Sequence, residues 1–249
     1  MAVEGCRPAR IVIVRHGESQ WNTQGSRRDI KIKDVPEALR GIPDHKTLLT
    51  KIGEKQAEIT GQRLAGDFGE FHRIFHSDYA RAIQTAKRII GQFPAEVRSR
   101  MVDGMRESLA IAEQNFGDLD LGIIDPDEHE VLNKKFCKLR ARVGKFRARP
   151  PNGDSWADIC LQLEAFKMQE LYRPDRHGQN ILIVTHSVTM QCFRYAFEHI
   201  HGDHLVHMYE LEKPANCGVS TYEYDEGSGK YVCMRWNQIF YPESIKTEQ

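Results

Sequence analysis

Short β-branched apolar runs alternate along this chain with longer stretches of helical period. Residues 10–14 (RIVIV) have the pattern of a strand buried on both faces. A polar, glycine-containing segment follows from His16. Residues 23–47 hold clustered charges, two prolines and no long apolar period, which reads as a loop or excursion. Thr50 is placed to cap a helix to about Gly66, with Ile52, Ala57, Ile59 and Leu64 on its apolar side. Residues 73–76 (RIFH) predict a second strand. Residues 79–90 predict a helix, with Ala82, Ile83, Ala86 and Ile90 at three- and four-residue spacing. Residues 97–101 read as a strand and residues 103–122 as a loop. A helix with a strongly basic face is expected over residues 128–146, stopped by Pro150-Pro-Asn-Gly153. Asp154 or Ser155 then caps another helix to about Tyr172. Residues 180–185 (NILIVT) form a further buried strand that leads into His186 and a helix to about Glu198. Residues 219–224 and 231–236 alternate in strand fashion around Asp225-Glu-Gly-Ser-Gly229. That glycine-rich piece is a hairpin turn rather than a phosphate loop, because it lies between two strands and lacks the G-x-x-x-x-G-K-[ST] pattern.

Strands alternating with helices predict an α/β fold, a three-layer α/β/α sandwich with a mostly parallel central sheet and one antiparallel edge strand. No internal repeat or low-complexity linker interrupts the 249 residues, so one domain over residues 1–249 is expected, with variable cap or insert segments at about 23–47 and 119–150. Lys plus Arg equals Asp plus Glu at 35 each, so bulk charge gives no reason to expect nucleic acid or an acidic membrane as partner. Any anion site must be a local concentration of positive charge. No run approaches the ~20 apolar residues of a spanning helix, and the first ten residues lack the apolar core of a secretory signal. The six cysteines are scattered without a C-x-x-C pair and read mostly as buried thiols in a reducing compartment, although spacing alone leaves disulfides open. The expected location is cytoplasmic.

Candidate chemistry collects at strand ends. One buried strand runs into Arg15-His16-Gly17-Glu18-Ser19, another into Thr185-His186-Ser187. In an open parallel sheet ligands bind beyond the carboxyl ends of the strands, so His16 and His186 can share one crevice. Gly17 lets the backbone approach a ligand closely, and the helix after His186 presents free N–H groups to an anion. Arg81 opens a helix after a third strand end, and with Arg15 it supplies forked donors suited to phosphate oxygens. His199, His201, His204 and His207 form a separate local cluster, but with no cysteine partners and only Glu198 and Asp203 as nearby acids it is a poor metal site.

In this order these segments resemble the histidine phosphatase superfamily, in its phosphoglycerate-mutase-like branch. The resemblance covers residues 11–22 (R-H-G-E-S-x-x-N), 49–57 (L-T-x-x-G-x-x-Q-A), 77–86 (S-x-x-x-R-A-x-Q-T-A), 113–117 (E-x-x-F-G), 151–155 (P-N-G-D-S) and 181–189. It implies that His16 is the nucleophile that takes up a phosphoryl group, and that Arg15, Arg81 and His186 bind the phosphate and stabilise its charge. Asn22 and the backbone near Ser187 would add phosphate contacts, where relatives commonly carry glycine in place of Ser187. A carboxylic acid must protonate the leaving group. Glu113 matches that position, with Glu107 as the competitor. The resemblance implies no metal and no cofactor. The implied function is a phosphatase acting on a small phosphorylated molecule. A cofactor-dependent phosphoglycerate mutase and a non-catalytic phospho-ligand-binding member are the alternatives. Residues 110–114 (AIAEQ) and 146–150 (FRARP) lack the leucine-asparagine-glutamate-arginine and Arg-Arg-Ser runs associated with mutases. Oligomeric state is not legible, and the basic residues Arg27, Arg28, Lys31, Lys33 and Arg40 fit either a lid or a solvated loop.

Overall fold

In the computed structural model, which describes residues 6–24 and 34–247, strand β1 (Arg10–Arg15) lies inside a six-stranded sheet. Ile11, Val12, Ile13 and Val14 are fully buried, as a strand covered on both faces requires. The other strands are β2 (Arg73–His76), β3 (Met105–Glu107), β4 (Asn180–Thr185), β5 (Val219–Asp225) and β6 (Lys230–Gln238), and the order across the sheet is β3-β2-β4-β1-β5-β6. β1, β4, β2 and β3 are parallel. β5 runs antiparallel to β1 and forms a hairpin with β6 at one edge.

The register positions the site. Arg15 pairs with Thr185, and the His16 N–H donates to the Thr185 carbonyl at 2.8 Å. His16 and His186, each one residue beyond its strand, therefore leave the sheet side by side.

Helices α1 (Lys51–Phe68), α2 (Ala80–Ile90) and α3 (Ala95–Asp103) cover one face, where Val12, Val14, Leu182 and Val184 share a core with Leu64, Ile89 and Met101. On the chain's way back, helix α4 (Pro126–Val143) contributes no buried side chain among the described residues. Helices α5 (Trp156–Phe166) and α6 (Ser187–Glu198) cover the other face, where Ile11, Ile13, Ile181 and Ile183 pack with Leu163, Phe166 and Phe193. Helix α7 (Gly202–Leu211) packs Leu205 onto that second core. The period-2 split of β1 and β4 between two cores is the physical content of the three-layer expectation. The Thr50 side chain accepts from the Gly53 N–H at 3.0 Å, and Ser155 with Asp158 forms a capping box, which makes Ser155 the cap of α5.

Three expectations are corrected. Residues 97–101 belong to α3, not to a strand: Pro94 opens the helix, and Met101 is its buried anchor. β3 lies within the expected loop, three residues long and paired only with β2. The helix expected to reach Tyr172 is α5 followed by a wider π turn over Lys167–Leu171. The histidine-rich stretch is partly helical, since His204 and His207 lie on α7. Part of the charged excursion is packed: Val35 and Leu39 are buried with Trp21 and Leu121. Arg27, Arg28, Lys31 and Lys33 lie outside the described residues. All six cysteines are free thiols; Cys160, Cys192 and Cys217 are buried. Among the described residues no helix is long and apolar enough to cross a membrane.

Candidate active site

The turn after β1 is held by motif residues that do not face the ligand. The Glu18 N–H donates to Gln56 Oε1 at 2.9 Å, and the Glu18 carboxylate accepts from the hydroxyls of Thr50 (2.5 Å) and Thr247 (2.9 Å). The Gly17 N–H donates to Thr85 Oγ1 at 3.0 Å. A Cβ on Gly53 would lie 2.0 Å from the Glu18 carbonyl oxygen, so the start of α1 touches the turn in a way only glycine permits. These contacts account for the Gly, Gln and Thr of the motifs as scaffold.

On this scaffold His16 is 3% exposed. Its Nδ1 lies 2.7 Å from the Gly17 carbonyl, an oxygen that only accepts, so Nδ1 carries the proton and Nε2 the lone pair. Arg81 Nε donates to that Nε2 at 3.2 Å. Burial, with Arg81, His186 and Arg15 nearby, holds the His16 pKa well below the ordinary histidine range. The ring is therefore a neutral base within a cationic surround.

The Arg81 guanidinium is fixed from behind. Nη1 donates to the Asp44 carbonyl (2.7 Å), Asp44 Oδ1 (3.1 Å) and Thr47 Oγ1 (2.9 Å), and Nη2 donates to Asp44 Oδ2 (3.2 Å). Asp44 is buried, and its own N–H donates to Asp120 Oδ2 at 3.0 Å. Arg15 donates through Nη1 to the Pro214 carbonyl at 2.6 Å, while its buried Nε has no hydrogen-bond partner among the described residues. Such a donor is costly to bury unless a ligand meets it.

His186 packs its ring 5.1 Å from that of His16 and 4.7 Å from that of Tyr79, and its Nε2 lies 2.8 Å from Ser77 Oγ. It is the N-cap residue of α6, whose first N–H groups point out of the sheet's carboxyl edge. Asn22 Oδ1 accepts from Ser19 and from Asn216 Nδ2, which leaves its amide N–H groups as the side chain's donors toward a ligand. The half-buried Glu113 accepts from the Gln114 N–H at 3.0 Å. Desolvation raises its pKa above the ordinary carboxylate range, against the pull of that N–H and of Arg81 and Arg15.

Arg15, His16, Asn22, Arg81, Glu113 and Ser187 all line one cavity of about 460 Å³, with His186 directly behind His16. Glu107 does not join them. It ends β3 and lines a separate cavity with Arg106 and Arg176. Among the described residues no three His, Cys, Asp or Glu side chains are grouped to hold a metal ion, the histidine cluster at 199–207 included. Sequence reasoning missed Asp44, Thr47 and Asn216. Asp44 and Thr47 sit in a charged stretch without period, and Asn216 precedes β5 in a turn; neither context carries a local signal. Ser77 stood in plain view as the first residue of the S-x-x-x-R motif.

The profile of the histidine phosphatase superfamily (branch 1) matches residues 11–238. The chain is 30% identical over 240 residues to phosphoglycerate mutase-like protein AT74 of Arabidopsis thaliana, a match over 88% of this chain and 66% of that protein, so the chain spans just under two thirds of that relative's length. Among solved structures, alpha-ribazole phosphatase from Shigella flexneri superposes with a TM-score of 0.66 at 20% identity, covering 92% of this chain and 96% of that one. Phosphoserine phosphatase from Entamoeba histolytica, in complex with 3-phosphoglyceric acid, superposes with a TM-score of 0.61 at 21% identity, covering 92% and 96%. At those identities the two structures speak for the fold, whereas the profile runs through nearly every strand, helix and cavity-lining turn of the molecule: the chain belongs to the histidine phosphatase superfamily, branch 1.

Proposed function

We propose that the chain is a phosphatase that hydrolyses phosphomonoesters through a phosphohistidine on His16. The observation that carries this reading is the His16 ring itself. Its proton is tied to Gly17, its pKa is depressed, and its Nε2 lone pair faces a cavity lined by two arginines. In the first step Nε2 attacks phosphorus and the ester P–O bond breaks. The leaving oxygen takes the Glu113 proton, which desolvation keeps in place at a pH where an ordinary carboxyl would have lost it. In the second step water attacks phosphorus, gives its proton to Glu113, and phosphate leaves with His16 regenerated. Arg15 Nε, Arg81 Nε, the Asn22 amide and the Ser187 N–H hold the phosphoryl oxygens through both steps, with His186 packed against the His16 ring. Arg81 Nε passes from His16 Nε2 to a phosphate oxygen as the substrate enters.

Hydrolysis is favoured over isomerisation because residues 110–114 and 146–150 depart from the runs associated with mutases. The likeness to a phosphoglycerate mutase-like protein favours the mutase as the second reading. The test is phosphate release from a phosphomonoester panel, run beside a coupled assay for isomerisation of 3-phosphoglycerate. His16→Ala should lose turnover and the acid-labile phosphoenzyme while retaining part of its phosphate affinity. Native-rate turnover by His16→Ala would overturn the mechanism, and isomerisation outrunning hydrolysis would make the chain a mutase.

A further inference from the structure

The His16 ring is held at its proton-bearing nitrogen, and the hold extends well beyond the turn. Nδ1–H donates to the Gly17 carbonyl at 2.7 Å. That carbonyl and the Glu18 N–H are the two ends of one peptide unit, planar and stiff. The Glu18 N–H donates to Gln56 Oε1 at 2.9 Å. Gln56 belongs to α1 and is fully buried. Its Nε2 donates onward to the Ile245 carbonyl at 2.7 Å and to Thr247 Oγ1 at 3.1 Å. A backbone N–H on one side and a carbonyl on the other fix which end of this amide is oxygen. Thr247 Oγ1 in turn donates to Glu18 Oε2 at 2.9 Å, which closes a ring of hydrogen bonds on the turn. Among the described residues no other hydrogen bond holds the peptide unit between Gly17 and Glu18. The same segment of chain reaches the turn by a second route. The Tyr241 hydroxyl donates to the Asn216 carbonyl at 2.5 Å, and Asn216 Nδ2 donates to the His16 carbonyl at 3.0 Å.

Two amides, one of backbone and one of side chain, therefore stand head to tail between His16 and residues 245–247. Each accepts at one end and donates at the other, so each polarises the next. The negative end of the series is the Gly17 carbonyl, aimed at Nδ1–H. No carboxylate meets this nitrogen, and Arg81, His186 and Arg15 around the ring disfavour positive charge on it. When Nε2 takes up a phosphoryl group the ring becomes cationic, and the aligned amides meet that charge on its Nδ1 side. A rotated Gly17–Glu18 peptide would cost Nδ1 its acceptor, and the ring its single tautomer and its aim.

We infer that Gln56 is a positioning residue for the nucleophile, acting through the Gly17–Glu18 peptide, and that Ile245 and Thr247 hold Gln56 to that task. The inference deepens the phosphatase reading and rests on it for the consequence in turnover. The tautomer of His16 is a property of the resting protein and does not depend on that reading.

Nitrogen NMR of the full chain with labelled histidine reads the tautomer. Turnover of 4-nitrophenyl phosphate reads the chemistry, and calorimetry with inorganic phosphate reads the anion site. Native His16 should be a single Nδ1–H tautomer. Gln56→Met keeps the length of the side chain and removes both ends of the amide. It should mix the two tautomers and lower kcat/KM by ~10–100-fold, the usual effect of losing a partner that orients a functional histidine. Phosphate affinity should change far less, since Arg15, Arg81 and Asn22 are untouched. Thr247→Val removes only the outer hydroxyl and carries the test should Gln56→Met fail to fold. It should move the tautomer and kcat/KM in the same direction by a smaller factor, and Thr247→Ser should restore both. A native tautomer with native kcat/KM in either variant, a loss of phosphate affinity as large as the loss of turnover, or Thr247→Ser no better than Thr247→Val would overturn the inference. If the tautomer responds as expected but the native chain turns over no phosphate ester, the positioning of His16 stands and the phosphatase reading falls.

Discussion

Asp44→Ala removes the carboxylate that fixes Arg81. Asp44 and Arg81 are 7% and 3% exposed, so the pair is nearly dry. The substitution deletes the contacts to Oδ1 and Oδ2 but keeps those to the Asp44 carbonyl and Thr47. Two hydrogen bonds to a charged group, at ~1.5–3 kcal/mol each, set a gross loss of ~3–6 kcal/mol. Relief of the desolvation of Asp44 itself offsets part of this, so a net cost of about 3 kcal/mol is expected. In a chain of this size that is a fall of roughly 6–12 °C in Tm. Asp44→Asn keeps one acceptor and should lose about half as much. The unpaired guanidinium then welcomes an anion, so about 10 mM phosphate should raise Tm more in Asp44→Ala than in the native chain. Thermal denaturation with and without phosphate reads both effects. A net cost under ~1 kcal/mol, or equal phosphate stabilisation of the two proteins, would refute the view that Asp44 neutralises and aims Arg81.

Glu113 has its folded pKa raised, so it contributes stability below its unfolded range that is lost as pH rises through the folded pKa. Glu113→Gln should therefore stabilise the chain at neutral pH while impairing turnover of alkyl phosphates more than of aryl phosphates, and the stabilisation should vanish below about pH 4; a variant less stable at pH 7 than the native chain would contradict this. The native kcat/KM should fall on the alkaline side as Glu113 ionises, and His16, held low, should stay nucleophilic on the acid side; an alkaline limb that persists unchanged in Glu113→Gln would assign it elsewhere. In the proposed mechanism arginines supply the charge that neutralises phosphate, so activity should persist in excess EDTA; loss restored by a divalent metal would bring the histidines at 199–207 back into contention. Gly53→Ala forces a methyl against the Glu18 carbonyl, and a loss of ~1–3 kcal/mol with a matching loss of activity is expected; wild-type Tm would show that the turn yields freely.

The parts of this molecule legible in sequence are those where a local pattern has one physical solution. The run Ile11 to Val14 has the pattern of a strand covered on both faces, and Thr50 precedes an amphipathic stretch where a cap belongs; the structure has both. The strand ends allowed His16 and His186 to share one crevice, and the structure sets them side by side; their roles came only from the resemblance carried by all the motifs together. Failures came where the deciding partner is distant. The short β3 is a strand because β2 lies beside it, and residues 97–101 are helical with Met101 buried in the core shared with Ile74 and Leu182. Asp44 acquires meaning only when Arg81 is 3.1 Å away. The choice between Glu113 and Glu107 was likewise open in sequence, and only the fold sends one into the cavity and the other away from it.

The position of β1 bears on how the chain is made. It emerges from the ribosome first among the strands, yet its two neighbours in the sheet begin at Asn180 and Val219. At ~5–20 residues per second, on the order of ten to thirty seconds pass between synthesis of β1 and of β4. Through that interval four β-branched apolar residues, flanked by Arg10 and Arg15, wait with both hydrogen-bonding edges bare, a state open to pairing with another nascent chain. The histidine that β1 delivers is therefore translated well before the strands that will surround it. Yield in a heterologous host should be governed by how well that wait is chaperoned rather than by the stability of the finished fold.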